Sequence, residues 1–295
     1  MPVEFKKQEF TVEYVTPQGE RQSYTLEVRS DPLTGDMGTV FRSPSPFASR
    51  RYPADLQAVP VLVQRSVELG CPFCHGALEK TATRFTPEFW PQGLMAKGKA
   101  RVFPNRDLFH TPYSAILILG LEHYVEPKGF TPDLLASGLE AAQLYFQRAA
   151  HHSPPAPFQT VNWNYFPPAG GSIIHPHLQL QGGPFPTNRH RRLLEDSRAY
   201  RQRHGANFWP DLIAAEKARG ERYIGHRGPV CWLSPFVPRG RMWDVIGVVE
   251  GGSGLAEFSS QQIEGLAEGI SRVLTFIQDQ GQYSFNLSLL SAVEG

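Results

Sequence analysis

The sequence predicts an α+β protein of two halves, each an antiparallel sheet with a packed helix. Three observations predict it. Short segments with the two-residue polarity alternation of a strand recur along the chain. Two longer segments, 131–150 and 259–281, carry the helical apolar period behind an N-cap. The order strand, strand, capped helix, strand occurs twice, over 100–180 and again over 230–292. The 26 prolines and 27 glycines also suit many strands and turns better than a helical bundle. The halves are predicted to be 1–185 and 186–295.

The elements follow in order. Residues 8–29 alternate as a strand pair, "EFTVEYV" and "SYTLEVR", joined by a turn at Pro17-Gln18-Gly19. A turn-rich stretch follows around Asp31-Pro32 and Thr34-Gly35. "CPFCHG" (71–76) comes after an apolar stretch that is helix-like or extended. "ARVFPNRD" (100–107) ends a strand, and "SAILILGLEH" (114–123) is apolar enough for a buried one. Thr131 N-caps the helix 131–150, with Pro132 in its first turn. "FQTVNWNYF" (158–166) is a strand that leads into "GGSIIHPHLQLQ" (170–181). There His175, His177, Gln179 and Gln181 fall on one face and Ile174, Pro176, Leu178 and Leu180 on the other. Pro176 donates no ladder hydrogen bond, which marks an edge or an irregularity. The arginine-rich segment 186–206 reads as a solvated helix. Strands at 230–238 and 243–250, a helix at 259–281 with Ser259 as N-cap and Gly281 beyond its end, and a strand at 283–292 complete the series.

Composition narrows the function. The chain is 41% hydrophobic and 19% charged with a net charge of +1, which gives no whole-protein attraction to nucleic acid or to acidic membranes. No apolar run approaches a membrane span, and "MPVEFKKQEF" lacks the apolar core of a signal peptide. Three cysteines, two of them in one CxxC, make a poor disulfide framework. A soluble cytoplasmic protein is expected.

Cys71 and Cys74 have zinc-ligand spacing. Cys231 stands alone in an apolar strand, so a tetrahedral site needs two histidines. His75 would be cramped beside Cys74. His151 and His152 sit at a helix end, and His190, His204 and His226 lie in polar segments. His110, His123 and His175 remain as candidates. Gly170-Gly171-Ser172 lets the main chain approach a ligand closely, and its N–H groups can form an anion-binding concavity.

These motifs together resemble the galactose-1-phosphate uridylyltransferase family of the histidine-triad superfamily. "RSDPLTGD", "CPFC", "VFPN", "ILILGLEHYVEP" and "NWNYFPPAGGSIIHPHLQ" occur in the family's order, covering residues 25–180, with the remainder matched by pattern only. The resemblance implies two histidine-triad-like halves. It implies His177 as the nucleophile, and Cys71, Cys74, His123 and His175 as ligands of a structural zinc. Gln179 would bond a non-bridging phosphate oxygen, with Ser172, Gly170 and Gly171 as the phosphate cradle. Asn105 and Asn164 would contact ribose or base, and Arg29 would meet phosphate charge.

The implied activity is nucleotidyl transfer between a nucleotide sugar and a sugar 1-phosphate, through a covalent nucleotidyl-histidine. A neutral imidazole is a competent nucleophile for this step. Gln179 stands where the family's hydrolases have a third histidine, and an amide is no acid or base at neutral pH. Two alternatives are an ADP-glucose-type phosphorylase, with inorganic phosphate as acceptor, and a non-catalytic nucleotide-binding relative. Arg106 follows Asn105 where the uridylyltransferases have an acidic residue. The family's late histidine pair has no counterpart before Gly295, so the second half is expected to be cut short. The implied partners are the nucleotide sugar, the phosphate acceptor and a second copy in a homodimer, with no nucleic acid and no membrane.

Overall fold

The computed structural model describes residues 3–41, 56–106, 111–240, 244–252 and 254–292. His110 falls outside them. The elements are β1 (Lys6–Val15), β2 (Arg21–Ser30), β3 (Met37–Phe41), α1 (Ala58–Glu68), α2 (Leu78–Thr81), β4 (Met95–Lys97), β5 (Ala100–Pro104), β6 (Tyr113–Ile118), α3 (Pro132–Ala150), β7 (Phe158–Tyr165), β8 (His177–Gly183), α4 (Asn188–His204), α5 (Phe208–Arg219), β9 (Tyr223–Arg227), β10 (Val230–Leu233), β11 (Ile246–Val249), α6 (Ser260–Asp279) and β12 (Phe285–Ala292). The fold is α+β, with antiparallel sheets and packed helices. Among the described residues no helix is long and apolar enough to cross a membrane.

Two compact units emerge, and each gathers segments from both sides of residue 185. One takes residues 1–52, 188–226 and 231–250; the other takes 53–187, 227–230 and 251–295.

The first unit holds the β1-β2-β3 sheet, most of the β11-β10-β9 sheet, α4 and α5. Its core joins Val3, Tyr200, Phe208, Ile213, Cys231 and Leu233. The Asp31 carboxylate accepts from the N–H groups of Leu33 and Thr34, so the predicted turn forms as an Asx turn. The chain then returns as β3, paired to β2, where the sequence showed only turn signals.

The second unit is built on one six-stranded sheet, ordered β12-β7-β8-β6-β5-β4. The last strand of the chain therefore completes the sheet of the histidine strand. It pairs along β7 from Phe285↔Tyr165 to Ala292↔Phe158. A strand pattern cannot name its partner, so the sequence did not reveal this pairing. One face of the sheet is apolar. Val161, Trp163, Leu178 and Leu287 meet Leu139 of α3 and Ile270 of α6 there. Both helices begin as predicted. The Thr131 side chain accepts from Leu134 N–H, and Ser259 forms a capping box with Gln262.

Gly265 lets α6 approach the turn at 227–230. A Cβ at this position would lie 2.3 Å from the Arg227 carbonyl oxygen. Alanine is the better helix former, yet Gly265→Ala is expected to destabilise the protein by about 1–3 kcal/mol, because backbone must move. Urea denaturation checks this; unchanged or increased stability would contradict the close approach.

Candidate functional site

The opposite face of the six-stranded sheet differs in kind. The side chains of His177, Gln179 and Gln181 alternate with buried Leu178 and Leu180 and remain half-exposed. Registers place Ile118 opposite His177 and Ile116 opposite Gln179 on one side, and Asn162 opposite Gln179 on the other. Along β12, Asn286 pairs with Asn164 and Ser288 with Asn162. The β12-β7-β8 part of this face is therefore polar, and the β6-β5 part is apolar. Over the apolar part packs the Cys71–Leu78 segment, where Cys71, Phe73 and Leu78 cluster with Phe103, Ile116 and Ile118.

That segment brings the thiols to the histidines. Cys71 Sγ lies 3.7 Å from His175 Nδ1, and Cys74 Sγ lies 3.8 Å from the same atom and 3.2 Å from His123 Nδ1. All four ligand atoms fall within 4.8 Å of one another. A tetrahedral zinc with bonds near 2.3 Å to sulfur and 2.0–2.1 Å to nitrogen would space its ligands by roughly 3.4–3.8 Å. The cluster can hold a metal ion. His175 is fully buried, and its Nε2–H donates to the Gly120 carbonyl at 2.8 Å. That bond fixes the tautomer and leaves the Nδ1 lone pair facing the thiols, the arrangement expected of a metal-ligating histidine. Burial holds the His175 ring neutral, its pKa pushed down to about 4, with the Gly120 bond opposing. Burial, then the neighbouring Cys71 thiol, pushes Cys74 up to about 11. Two adjacent thiols resist ionising together unless a cation neutralises them.

His175 also connects the cluster to the next histidine. Its carbonyl accepts from His177 Nδ1 at 2.8 Å, which leaves Nε2 as the lone-pair nitrogen. Phe73 lies edge-on to both rings, with centroids 6.0 Å from His175 and 5.3 Å from His177, so the two share a side of the chain. Burial lowers the His177 pKa and the carbonyl bond opposes that. The predicted strand is shorter than expected at its start: β8 begins at His177, and Pro176 sits just before it. The proline marks an irregularity, not an edge, since β8 is an interior strand.

The other predicted residues divide. Asn164 is next to last in β7, on the polar face, and Ser172 is exposed in the loop that leads to His175. Asn105 follows β5, its N–H bonded to the Ser114 carbonyl. The N–H groups of Gly170 and Gly171 donate to the carbonyls of Pro167 and Phe166, both at 2.9 Å, and so close their own turn. Gly171 is there for space, since a Cβ would lie 2.5 Å from the Asn164 carbonyl oxygen. Arg29 lies in the other compact unit. Its guanidinium is engaged by the fully buried Glu27 carboxylate at 2.7 Å and by the Phe236 carbonyl at 3.1 Å. Sequence reasoning missed Asn162, Asn286 and Ser288 on the polar face. Alternation was the signal in each case, in "FNLSLLS" for Asn286 and Ser288 and in "FQTVNWNYF" for Asn162, and neither strand had a partner to be read against.

No family model matches the chain. An uncharacterized protein of Archaeoglobus fulgidus is 28% identical over 290 residues, spanning 98% of this chain and 83% of its own length. Among solved structures, an ADP-glucose phosphorylase from Arabidopsis thaliana with bound ADP-glucose superposes with a TM-score of 0.65 at 17% identity, over 91% of this chain and 83% of its own. A GalT-like protein of the same plant gives 0.61 at 16% identity over 75% of each chain. A uridylyltransferase mutant gives 0.54 at 17% identity, over 91% of this chain and 81% of its own. The chain thus has the fold of the uridylyltransferase-like proteins, as its motifs implied.

The metal cluster makes its own prediction. A Cys71→Ser/Cys74→Ser variant should retain less metal than the wild type, measured by elemental analysis after gel filtration. Metal retention in the wild type should fall as the pH is lowered, because thiolate and neutral imidazole are the ligating forms. Unchanged metal content in the variant would remove these ligands from consideration.

Proposed function

We propose that this protein is a nucleotidyltransferase. It moves a nucleoside monophosphate from a nucleotide sugar to a phosphate acceptor through a covalent intermediate on His177. The single observation that carries this reading is the His177 tautomer: Nδ1–H is held by the His175 carbonyl, and Nε2 keeps its lone pair on the polar face of the sheet.

His177 Nε2 attacks the α-phosphorus. The N–P bond forms as the bond to the bridging oxygen breaks, and a sugar 1-phosphate departs with the bonding pair. The phospho-imidazole carries positive charge in its ring, and the His175 carbonyl, accepting from Nδ1–H, stabilises it. Gln179 lies two residues on along the same face and donates its amide N–H to a non-bridging oxygen. The Ser172 hydroxyl is the second donor. A second phosphate then attacks the same phosphorus, the N–P bond breaks, and Nε2 regains its lone pair. Gln179 has no proton to trade at neutral pH, so the intermediate waits for a phosphate rather than activating water.

Zinc is the metal we assign to Cys71, Cys74, His123 and His175. Once bound it would neutralise the thiolates and pin the segment that presents His177, without needing an open coordination position. Free thiols at all three cysteines suit a cytoplasmic protein.

The acceptor is a sugar 1-phosphate in the first reading. Arg106, in place of an acidic residue beside Asn105, favours a second: an adenylyl-specific phosphorylase with inorganic phosphate as acceptor. Incubation with α-³²P-labelled UDP-glucose and ADP-glucose separates the two. Wild type should take up acid-labile label, and His177→Ala should take up none. The better donor identifies the base, and discharge by phosphate or by hexose phosphate identifies the acceptor. Label that persists in His177→Ala would reject the nucleophile; nucleotide binding without label would favour a non-catalytic binding protein.

A further inference from the structure

The turn after β7 is under strain. Phe166 is a fully buried non-glycine residue with φ of +70°, in the left-handed region. Its carbonyl accepts from both Ala169 N–H (3.0 Å) and Gly171 N–H (2.9 Å), which folds the turn back on itself. A strained turn persists when its surroundings over-determine it. The hold comes from β12. The side-chain amide of Asn286 donates to the Asn164 side-chain carbonyl at 2.7 Å and to the Ala169 main-chain carbonyl at 2.8 Å, using both of its hydrogens. One register step away, the Ser288 hydroxyl donates to the Asn162 side-chain carbonyl at 2.8 Å.

These bonds set polarity as well as position. β7 lies between β12 and β8. With the carbonyl oxygens of Asn164 and Asn162 occupied from the β12 side, their NH₂ groups turn away from β12, toward the side of His177 and Gln179. The face then offers a row of donors, as the oxygens of a phosphate or a ribose require.

We infer that Asn286 is a positioning residue: it clamps the turn at 166–171 and fixes the Asn164 amide as a donor, with Ser288 doing the same for Asn162. The nucleotide part of this inference rests on the function proposed above; the clamp does not.

The informative variant is Asn286→Asp. It keeps the shape and replaces the donating amide with a carboxylate, which repels the Ala169 and Asn164 oxygens and accepts from Asn164 if that amide rotates. The donor row is then reversed at one place. Two measurements are made, with melting temperature as the check that the variant is folded. Hydrogen exchange of the 166–171 peptide in the ligand-free protein should speed up about tenfold in Asn286→Asp and stay unchanged in Ser288→Ala. The donor concentration for half-maximal labelling of His177 should rise about tenfold in Asn286→Asp, with the final extent of labelling retained, as loss of a hydrogen bond that orients a binding group implies. Unchanged exchange in the folded variant would overturn the clamp. Faster exchange with unchanged half-saturation would overturn the role in nucleotide positioning. If the wild type takes no label from either nucleotide sugar, the proposed function fails and the exchange result still decides the clamp.

Discussion

The site depends on how one buried side chain and its own carbonyl are satisfied. The His175 ring cannot reach water, so each nitrogen needs a protein partner or a metal. Nε2 takes the Gly120 carbonyl, and Nδ1 takes the thiol pair. With the ring pinned at both ends, the position of its main-chain carbonyl is set. That carbonyl holds His177 Nδ1. The Cys71–Cys74–His123–His175 cluster and the His177 ring are thus joined through a single residue. Pro176 fits between the two histidines for the same reason. It has no N–H to satisfy where the chain leaves the cluster, while its carbonyl accepts from Leu119 N–H to begin the ladder.

The sheet turns this local arrangement into a surface. β8 lies inside it, with β6 on one side and β7 on the other, so His177 and Gln179 are presented by a strand bonded along both edges. One face of that sheet is sealed by α3 and α6. The other is divided along β8: an apolar half buried under the Cys71–Leu78 segment, and a polar half of Asn, Ser and Gln side chains. Along the polar half the side chains bond one another across the strands, Asn286 of β12 donating to Asn164 of β7 and Ser288 to Asn162.

The other unit answers a different constraint. Glu27 is fully buried and meets Lys7 at 2.8 Å and Arg29 at 2.7 Å. A buried carboxylate of this kind requires cationic partners, since removing both would leave an unpaired buried charge. The Arg29 guanidinium also stacks over Phe236, at 5.0 Å from the ring centroid. Its contacts are thus with Glu27 and Phe236 of its own unit.

By itself the sequence determined a good deal. Short-range regularities decide where helices start, and Thr131 and Ser259 announced α3 and α6. Spacing alone singled out Cys71 and Cys74 and left three histidines as candidates, while the family resemblance implied the full set of Cys71, Cys74, His123 and His175, which the fold brings together. Alternation along one strand placed His177 and Gln179 on a common face. The tertiary structure alone decided everything that depends on a partner strand or on the fate of a backbone group. It gave β12 to β7, so the final strand belongs to the sheet of the histidines and brings Asn286 and Ser288 to the site. It spent the N–H groups of Gly170 and Gly171 on their own turn, and it enclosed Arg29 with Glu27. Strand pairing and hydrogen-bond allocation are non-local: they are settled by whichever groups the whole fold brings within reach, and no window of neighbouring residues contains that information.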